Sequence, residues 1–173
     1  MSVVISGTGI YTPQQSIDNK ELVESYNKYA DSFNEMYKED ISNGTVEALT
    51  HSNEEFIKKV SGIENRYVLD KEGILDPQRM RPLLEERSND QPSVQAEIAE
   101  SACLEALKNA NKSVDDVDAV ICACANLQRA YPAVAIEIQD LLGIQGYADD
   151  MNVACSSSTF GIQNAVSDIS SGL

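Results

Sequence analysis

The sequence predicts an α/β protein in which helices cover a mixed sheet. Two observations carry this. Strand-like apolar runs alternate along the chain with amphipathic helical stretches, and one run, residues 119–125, is apolar on both faces, as a strand covered on two sides is. At 173 residues and 42% hydrophobic content, the chain is long enough for one domain, residues 1–173, with its own core. It has no Trp and only 6% aromatic residues, so that core is aliphatic and rich in alanine.

The elements follow in order. Residues 3–9 form a β-branched run ending in Gly7-Thr8-Gly9, with Pro13 beyond, and predict a first strand and turn. Asp18 and Glu21 make a capping-box pattern that opens a helix through about residue 29. Residues 31–50 are polar and acidic and read as short helices in a surface insertion. Ser52 with Glu55 repeats the cap pattern ahead of a helix over residues 54–60, which Gly62 stops, and residues 66–69 predict a short strand. Residues 70–92 hold Pro77, Pro82 and Pro92 among many charges and read as a lid-like loop with a helical turn or two.

Ser93 then caps a helix over residues 94–111. Its stripe of Ile98, Ala102, Cys103, Ala106, Leu107 and Ala110 is small enough for close packing against another layer. The doubly apolar strand follows. Pro132 suits the first turn of a helix over residues 133–142, with Gly143 just past its end. A last short strand leads to Cys155. Beyond it Phe160, Ile162, Ala165, Val166 and Ile169 recur at mostly three- and four-residue steps before Gly172 ends the helix.

A formal charge of −15 excludes nucleic acid as a partner, because phosphate binding needs a basic face, and it disfavours anionic membrane surfaces. The acidic residues 31–40 and Glu54-Glu55 read as solvated helical surface. No stretch resembles a membrane span or a signal peptide, and four irregularly spaced cysteines suit a reducing compartment, so the expected location is the cytoplasm.

Cys155 is the leading candidate for chemistry. It stands at a strand-to-helix junction, where unpaired backbone N–H groups and the helix dipole favour an anion such as a thiolate. The dipole is worth about 2 kcal/mol at most, so a catalytic cysteine also needs a base or electrophilic partner, usually His. The one histidine, His51, precedes a helix cap in a polar stretch and reads as an exposed residue, not a base. By position alone Cys155 is either an activated thiol or an ordinary buried cysteine at a strand end. Cys122 and Cys124 are two apart on one strand face, about 6.5–7 Å between α-carbons, at or beyond disulfide reach. With Cys103 they read as small buried filler, and no set of ligands for a metal is present. Gly7-Thr8-Gly9 lacks the third glycine of a dinucleotide loop and reads as a tight turn.

Taken together, the segments resemble the N-terminal half of a β-ketoacyl-acyl carrier protein synthase III, one of the thiolase-like condensing enzymes. The matching pieces are residues 5–13, Ser61-Gly62-Ile63-Glu64-Asn65-Arg66, the strand over residues 118–125, Tyr131-Pro132-Ala133 running into residues 138–144, and Asn152-Val153-Ala154-Cys155. They keep the family's order and span nearly the whole chain.

The resemblance implies that Cys155 is the nucleophile, which takes an acyl group from acyl-CoA as a thioester before condensation with malonyl-acyl carrier protein in fatty-acid or related synthesis. It implies that Tyr131 reaches across a homodimer interface into the partner's acyl pocket; the alternative is an ordinary packed aromatic at a helix entry. Phe56 falls where many members carry a Trp that stacks on the CoA adenine, although Val60 replaces the usual stacking Arg. No cofactor is implied beyond acyl-CoA as substrate. Residues 25–52 and 70–92 look longer than the family pattern, as surface decoration or as modifiers of acyl specificity.

Family members are much longer, and their catalytic His and Asn lie in the second half. The expectation is therefore a chain that carries the nucleophile while a complementing C-terminal half supplies the rest. The alternatives are a non-catalytic acyl-binding or scaffold subunit, or an inactive fragment with an open sheet edge. Acyl carrier proteins are themselves acidic, so a carrier-docking patch is expected on the missing half or on a local basic cluster such as Lys58-Lys59.

Overall fold

The computed structural model describes residues 2–173 and divides into two units, residues 12–86 and residues 87–173 with the N-terminal stretch up to Tyr11. In the first unit β1 (Gln15–Asp18) leads into α1 (Asn19–Met36), α2 (Lys38–Ser42), α3 (Glu54–Ser61), β2 (Asn65–Val68) and α4 (Lys71–Leu75). β1 and β2 pair antiparallel, with Ile17 opposite Arg66. β1 has a single apolar residue, Ile17, too little for a sequence signal, yet that side chain is fully buried and anchors the pair.

The capping box forms as expected: Glu21 N–H donates to Asp18 Oδ1 at 2.8 Å, and Asp18 N–H donates to Glu21 Oε2 at 3.2 Å. α1 continues well past residue 29. Ala30 is fully buried, and the rings of Tyr29, Phe33 and Tyr37 follow one another at 6.0 and 4.7 Å along one face. The chain returning from α2 is strapped to α1 by side-chain amides. Asn34 exchanges hydrogen bonds with the Leu49 backbone at 2.8 and 2.9 Å, and Asn27 with Ser52 at 3.1 and 2.9 Å. Because Asn27 holds the Ser52 backbone, the α3 cap falls one residue later than expected. Asn53 Oδ1 accepts from Phe56 N–H at 2.8 Å.

The second unit contains α5 (Val94–Ala110), β3 (Ala119–Ala123), α6 (Val134–Leu142), β4 (Tyr147–Met151) and α7 (Ser157–Ser171), with 3₁₀ turns at Val114–Asp116 and Ala154–Ser156. Ser93 caps α5 as expected, its hydroxyl accepting from Ala96 N–H at 3.1 Å. β3 and β4 run parallel, Ala119 opposite Tyr147 through Ala123 opposite Met151. The mixed strand directions are thus divided, an antiparallel pair in one unit and a parallel pair in the other.

Ala96, Val134, Ile138, Leu142 and Ile144 form the core, joined by Val120 and Cys122 from one face of β3. On the other face α7 approaches so closely that a Cβ on Gly161 would lie 2.7 Å from the Cβ of Ala123. Helices therefore cover both faces of β3, but every β3 residue stays partly exposed, because its second edge has no strand beside it among the described residues.

Residues 3–9 do not form the expected strand. They join no ladder and lie against α5, where a Cβ on Gly9 would come within 2.1 Å of the Ala102 carbonyl oxygen. Asn109 Nδ2 donates to Thr8 O at 2.8 Å, and Ile10 N–H donates to Glu105 Oε2 at 2.7 Å. Side-chain groups of α5 thus hold backbone that a strand would have paired. Pro132 also differs from expectation: it precedes the helix, and α6 starts at Val134 after Ala133.

Candidate active site

β4 delivers the chain to Cys155. Cys124 N–H donates to Met151 O at 3.0 Å at the last rung of the parallel pair. Asn152 then makes two contacts: its Nδ2 donates to Ala125 O at 3.1 Å, and its Oδ1 accepts from Ala154 N–H at 3.1 Å. Ala154 takes a left-handed conformation, φ +48°, unusual for a residue with a Cβ. Ser157 closes the turn, its hydroxyl accepting from Val153 N–H at 2.9 Å and donating to Ala154 O at 2.8 Å.

Cys155 sits in the resulting 3₁₀ turn, directly before α7, and is exposed. Its thiol makes no hydrogen bond among the described residues. Ser156, at the cap position of this 15-residue helix, supplies no side-chain bond, and the first amide of α7, Ser157 N–H, donates to Ala154 O. Cys155 is therefore not the buried cysteine at a strand end that position alone also allows.

The other cysteines contrast with it. Burial, followed by the nearby Asp150 carboxylate, pushes the Cys122 thiol up to about 11, and burial pushes the Cys103 thiol up as well. Cys124 Sγ donates to Asn126 O at 3.3 Å, and all four cysteines are free. Among the described residues no group of three or more His, Cys, Asp or Glu is arranged to hold a metal ion, and no helix is long and apolar enough to cross a membrane.

Asp150 is the contributor that the sequence reading missed. From β4 its carboxylate accepts from Val134 N–H at 2.9 Å and Ala135 N–H at 2.8 Å, capping α6 where Ala133 has no side chain to do so. One acid thereby ties the Tyr131 end of α6 to the strand that presents Cys155. The signal was a helix entry without a capping residue and an acidic pair in an otherwise apolar strand.

Tyr131 lies in the same unit as Cys155 and is 91% exposed, so its ring is not packed within this chain's core. Behind it, Glu137 is buried. Its Oε1 accepts from Ser93 N–H at 3.1 Å and lies 3.3 Å from Arg129 Nη1. Phe56 belongs to the other unit. It projects from the first turn of α3, 57% exposed, and borders a pocket of about 580 Å³ with Leu22, Tyr26, Ile57 and Met80. His51 lines the same pocket and its Nε2 lies 2.7 Å from Asp31 Oδ1. The unit that holds Cys155 therefore contains no histidine.

No family model matches the chain. It is 56% identical over 150 residues to the β-ketodecanoyl-[acyl-carrier-protein] synthase of Pseudomonas aeruginosa, covering 87% of this chain and 43% of that protein. It is 29% identical over 170 residues to the β-ketoacyl-[acyl-carrier-protein] synthase III of Ruegeria sp., covering 98% of this chain and 39% of that one. Among solved structures, the 3-oxoacyl-[acyl-carrier-protein] synthase III of Aquifex aeolicus superposes with a TM-score of 0.67 at 24% identity, over 97% of this chain and 40% of that one. The fold is that of these thiolase-like enzymes, and the chain spans about two-fifths of the length of the relatives it matches.

Proposed function

We propose, for a chain related in sequence and fold to the β-ketoacyl-acyl carrier protein synthases III, that Cys155 is the acyl-accepting nucleophile of a condensing acyltransferase. The observation that supports this most directly is the exposed thiol at the uncapped start of α7, at the end of a parallel strand. The thiolate attacks the carbonyl carbon of an acyl-CoA; the tetrahedral adduct collapses, and CoA leaves as its thiol once protonated. The acyl group then passes to the carbanion that malonyl-acyl carrier protein forms on losing carbon dioxide. A β-ketodecanoyl product, as in the name of the Pseudomonas relative, is two carbons longer than its donor, so the proposed donor is octanoyl-CoA.

The groups that bind the thioester carbonyl and promote decarboxylation are proposed to come from the length of the relatives that this chain does not span. The exposed Tyr131 is proposed to enter the acyl pocket of a second copy in a homodimer, and Phe56 to stack on the CoA adenine, with Val60 contributing no cation there. No cofactor other than the acyl-CoA substrate enters the scheme, and its setting is the cytoplasm. A second reading, a non-catalytic acyl-binding or scaffold subunit, is favoured by one observation: the chain's only histidine lies in the other unit, paired with Asp31.

Intact-mass measurement after incubation with octanoyl-CoA separates the two. One octanoyl adduct on the wild type, absent in Cys155→Ala, is the expected result. No adduct, even beside the separately expressed remainder of the Pseudomonas relative, overturns the nucleophile assignment.

A further inference from the structure

We infer that Ser157 and Asn152 are positioning residues that hold Ala154 in its left-handed conformation and so set the outward aim of the Cys155 thiol. The inference deepens the reading of Cys155 as a nucleophile, and rests on it for its catalytic meaning.

A residue with a Cβ adopts φ near +50° only when its surroundings over-determine it. At Ala154, φ +48°, the two flanking peptide groups are each held by a different side chain. Its N–H donates to Asn152 Oδ1 at 3.1 Å, and its carbonyl accepts from the Ser157 hydroxyl at 2.8 Å. Both side chains have a second anchor. Asn152 reaches Ala125 O at 3.1 Å, beyond the end of β3, and Ser157 accepts from Val153 N–H at 2.9 Å. Ser157 is 3% exposed, so bulk water does not stand in for its hydroxyl when it is removed.

The next residue is Cys155. If the Ala154 peptide relaxes to an ordinary conformation, the 154–155 peptide plane turns. The thiol then loses its present aim at the entry to α7. Asn152 and Ser157 thus each bond one side of Ala154, and both act through it. Glycine adopts positive φ about as readily as negative, so a glycine at 154 would keep the conformation without the two side-chain bonds.

The test is the rate at which iodoacetamide alkylates each cysteine of the full chain, read by peptide mass. The thiolate displaces iodide, and no acyl-CoA is involved. Ser157→Ala and Asn152→Ala are each expected to slow alkylation of Cys155 by about fivefold or more, by loss of alignment. Cys103, Cys122 and Cys124 keep their wild-type rates. Ala154→Gly added to Ser157→Ala is expected to restore most of the Cys155 rate. An unchanged Cys155 rate in both single variants overturns the inference. So does a common rise at the three partly buried cysteines, which marks general loosening of the fold, or a failure of Ala154→Gly to restore. The two readings fail separately. Absence of octanoylation in the wild type, even beside the remainder of the Pseudomonas relative, sinks the nucleophile assignment and leaves these alkylation rates as expected, whereas unchanged alkylation in the variants sinks only the positioning roles.

Discussion

Asp150 caps a helix that begins 16 residues before it in the chain: its Oδ2 accepts from the backbone N–H of Val134 at 2.9 Å, while Oδ1 accepts from Ala135. The acid does from a neighbouring strand what Ser, Thr, Asp or Asn usually does from the cap position, which Ala133 occupies here. Asp150→Ala leaves two first-turn amides without an acceptor and removes a negative charge from the positive end of α6. The expected cost is about 1–2 kcal/mol of unfolding free energy in urea, with Asp150→Asn losing less because one acceptor oxygen remains. Equal midpoints for Asp150→Ala and wild type would refute the capping role.

Asp70 makes the first unit acid-sensitive. Its carboxylate accepts from the N–H of Leu83 and from Gly73 N–H at 3.2 Å, and these bonds, Leu83 first, hold its carboxyl below the usual carboxylate range. A carboxyl lowered in the folded state contributes stability above its unfolded value and loses it as pH falls through the folded value. Amides of Gly73 and Leu83 are therefore expected to keep hydrogen-exchange protection through the ordinary aspartate range, about pH 4, and to lose it only below that range. Asp70→Asn, which carries no charge and one acceptor oxygen, should show the loss at neutral pH. Protection that persists in that variant would count against the two bonds.

What could be read from the sequence was local. The Asp18–Glu21 box, the Ser93 cap and the placement of Cys155 at a helix entry each depend on residues within a few positions of one another, and all three are present. The missed features depend on distant chain. β1 exists because Ile17 finds β2 some fifty residues on, and Asn53 replaces Ser52 as a cap because Asn27 occupies the Ser52 backbone. Residues 3–9 have strand composition but find α5 side chains in place of a neighbouring strand. At the site, the small residue before the cysteine gave no hint of positive φ, since alanine is not the residue type that marks it.

Cys122 and Cys155 are expected to part company as pH rises. Desolvation first, then the Asp150 carboxylate, keeps Cys122 as a neutral thiol up to about 11, so its alkylation stays slow until the pH approaches that value. Cys155 is exposed and is expected to be alkylated first at neutral pH. The same shift acts on stability. A thiol raised in the folded state contributes fully below its unfolded value and loses that contribution as pH rises from the ordinary thiol range toward about 11. Cys122→Ala should flatten this part of the stability profile; an unchanged slope would show that Cys122 is not the group responsible.

Glu137 gives the largest expected loss. Its side chain is 7% exposed and that of Arg129 18%, and the same carboxylate oxygen that faces Arg129 also accepts the Ser93 amide at 3.1 Å. Its second oxygen, Oε2, is buried without a partner among the described residues, so the carboxylate is costly to bury and only partly compensated. Glu137→Ala leaves a mostly buried guanidinium with only the Gln91 carbonyl, 3.4 Å from Arg129 Nη2, orphans the amide of the α5 cap residue, and should cost about 3–5 kcal/mol in urea unfolding. Glu137→Gln retains an acceptor for Ser93 and should lose less. The double variant Glu137→Met, Arg129→Met should recover much of the loss, because replacing both charges removes the desolvation cost along with the attraction. A double variant as unstable as Glu137→Ala would mean that the ion pair itself stabilises the fold. Recovery would leave it the narrower task of joining the loop before Tyr131, through Arg129, to the start of α5.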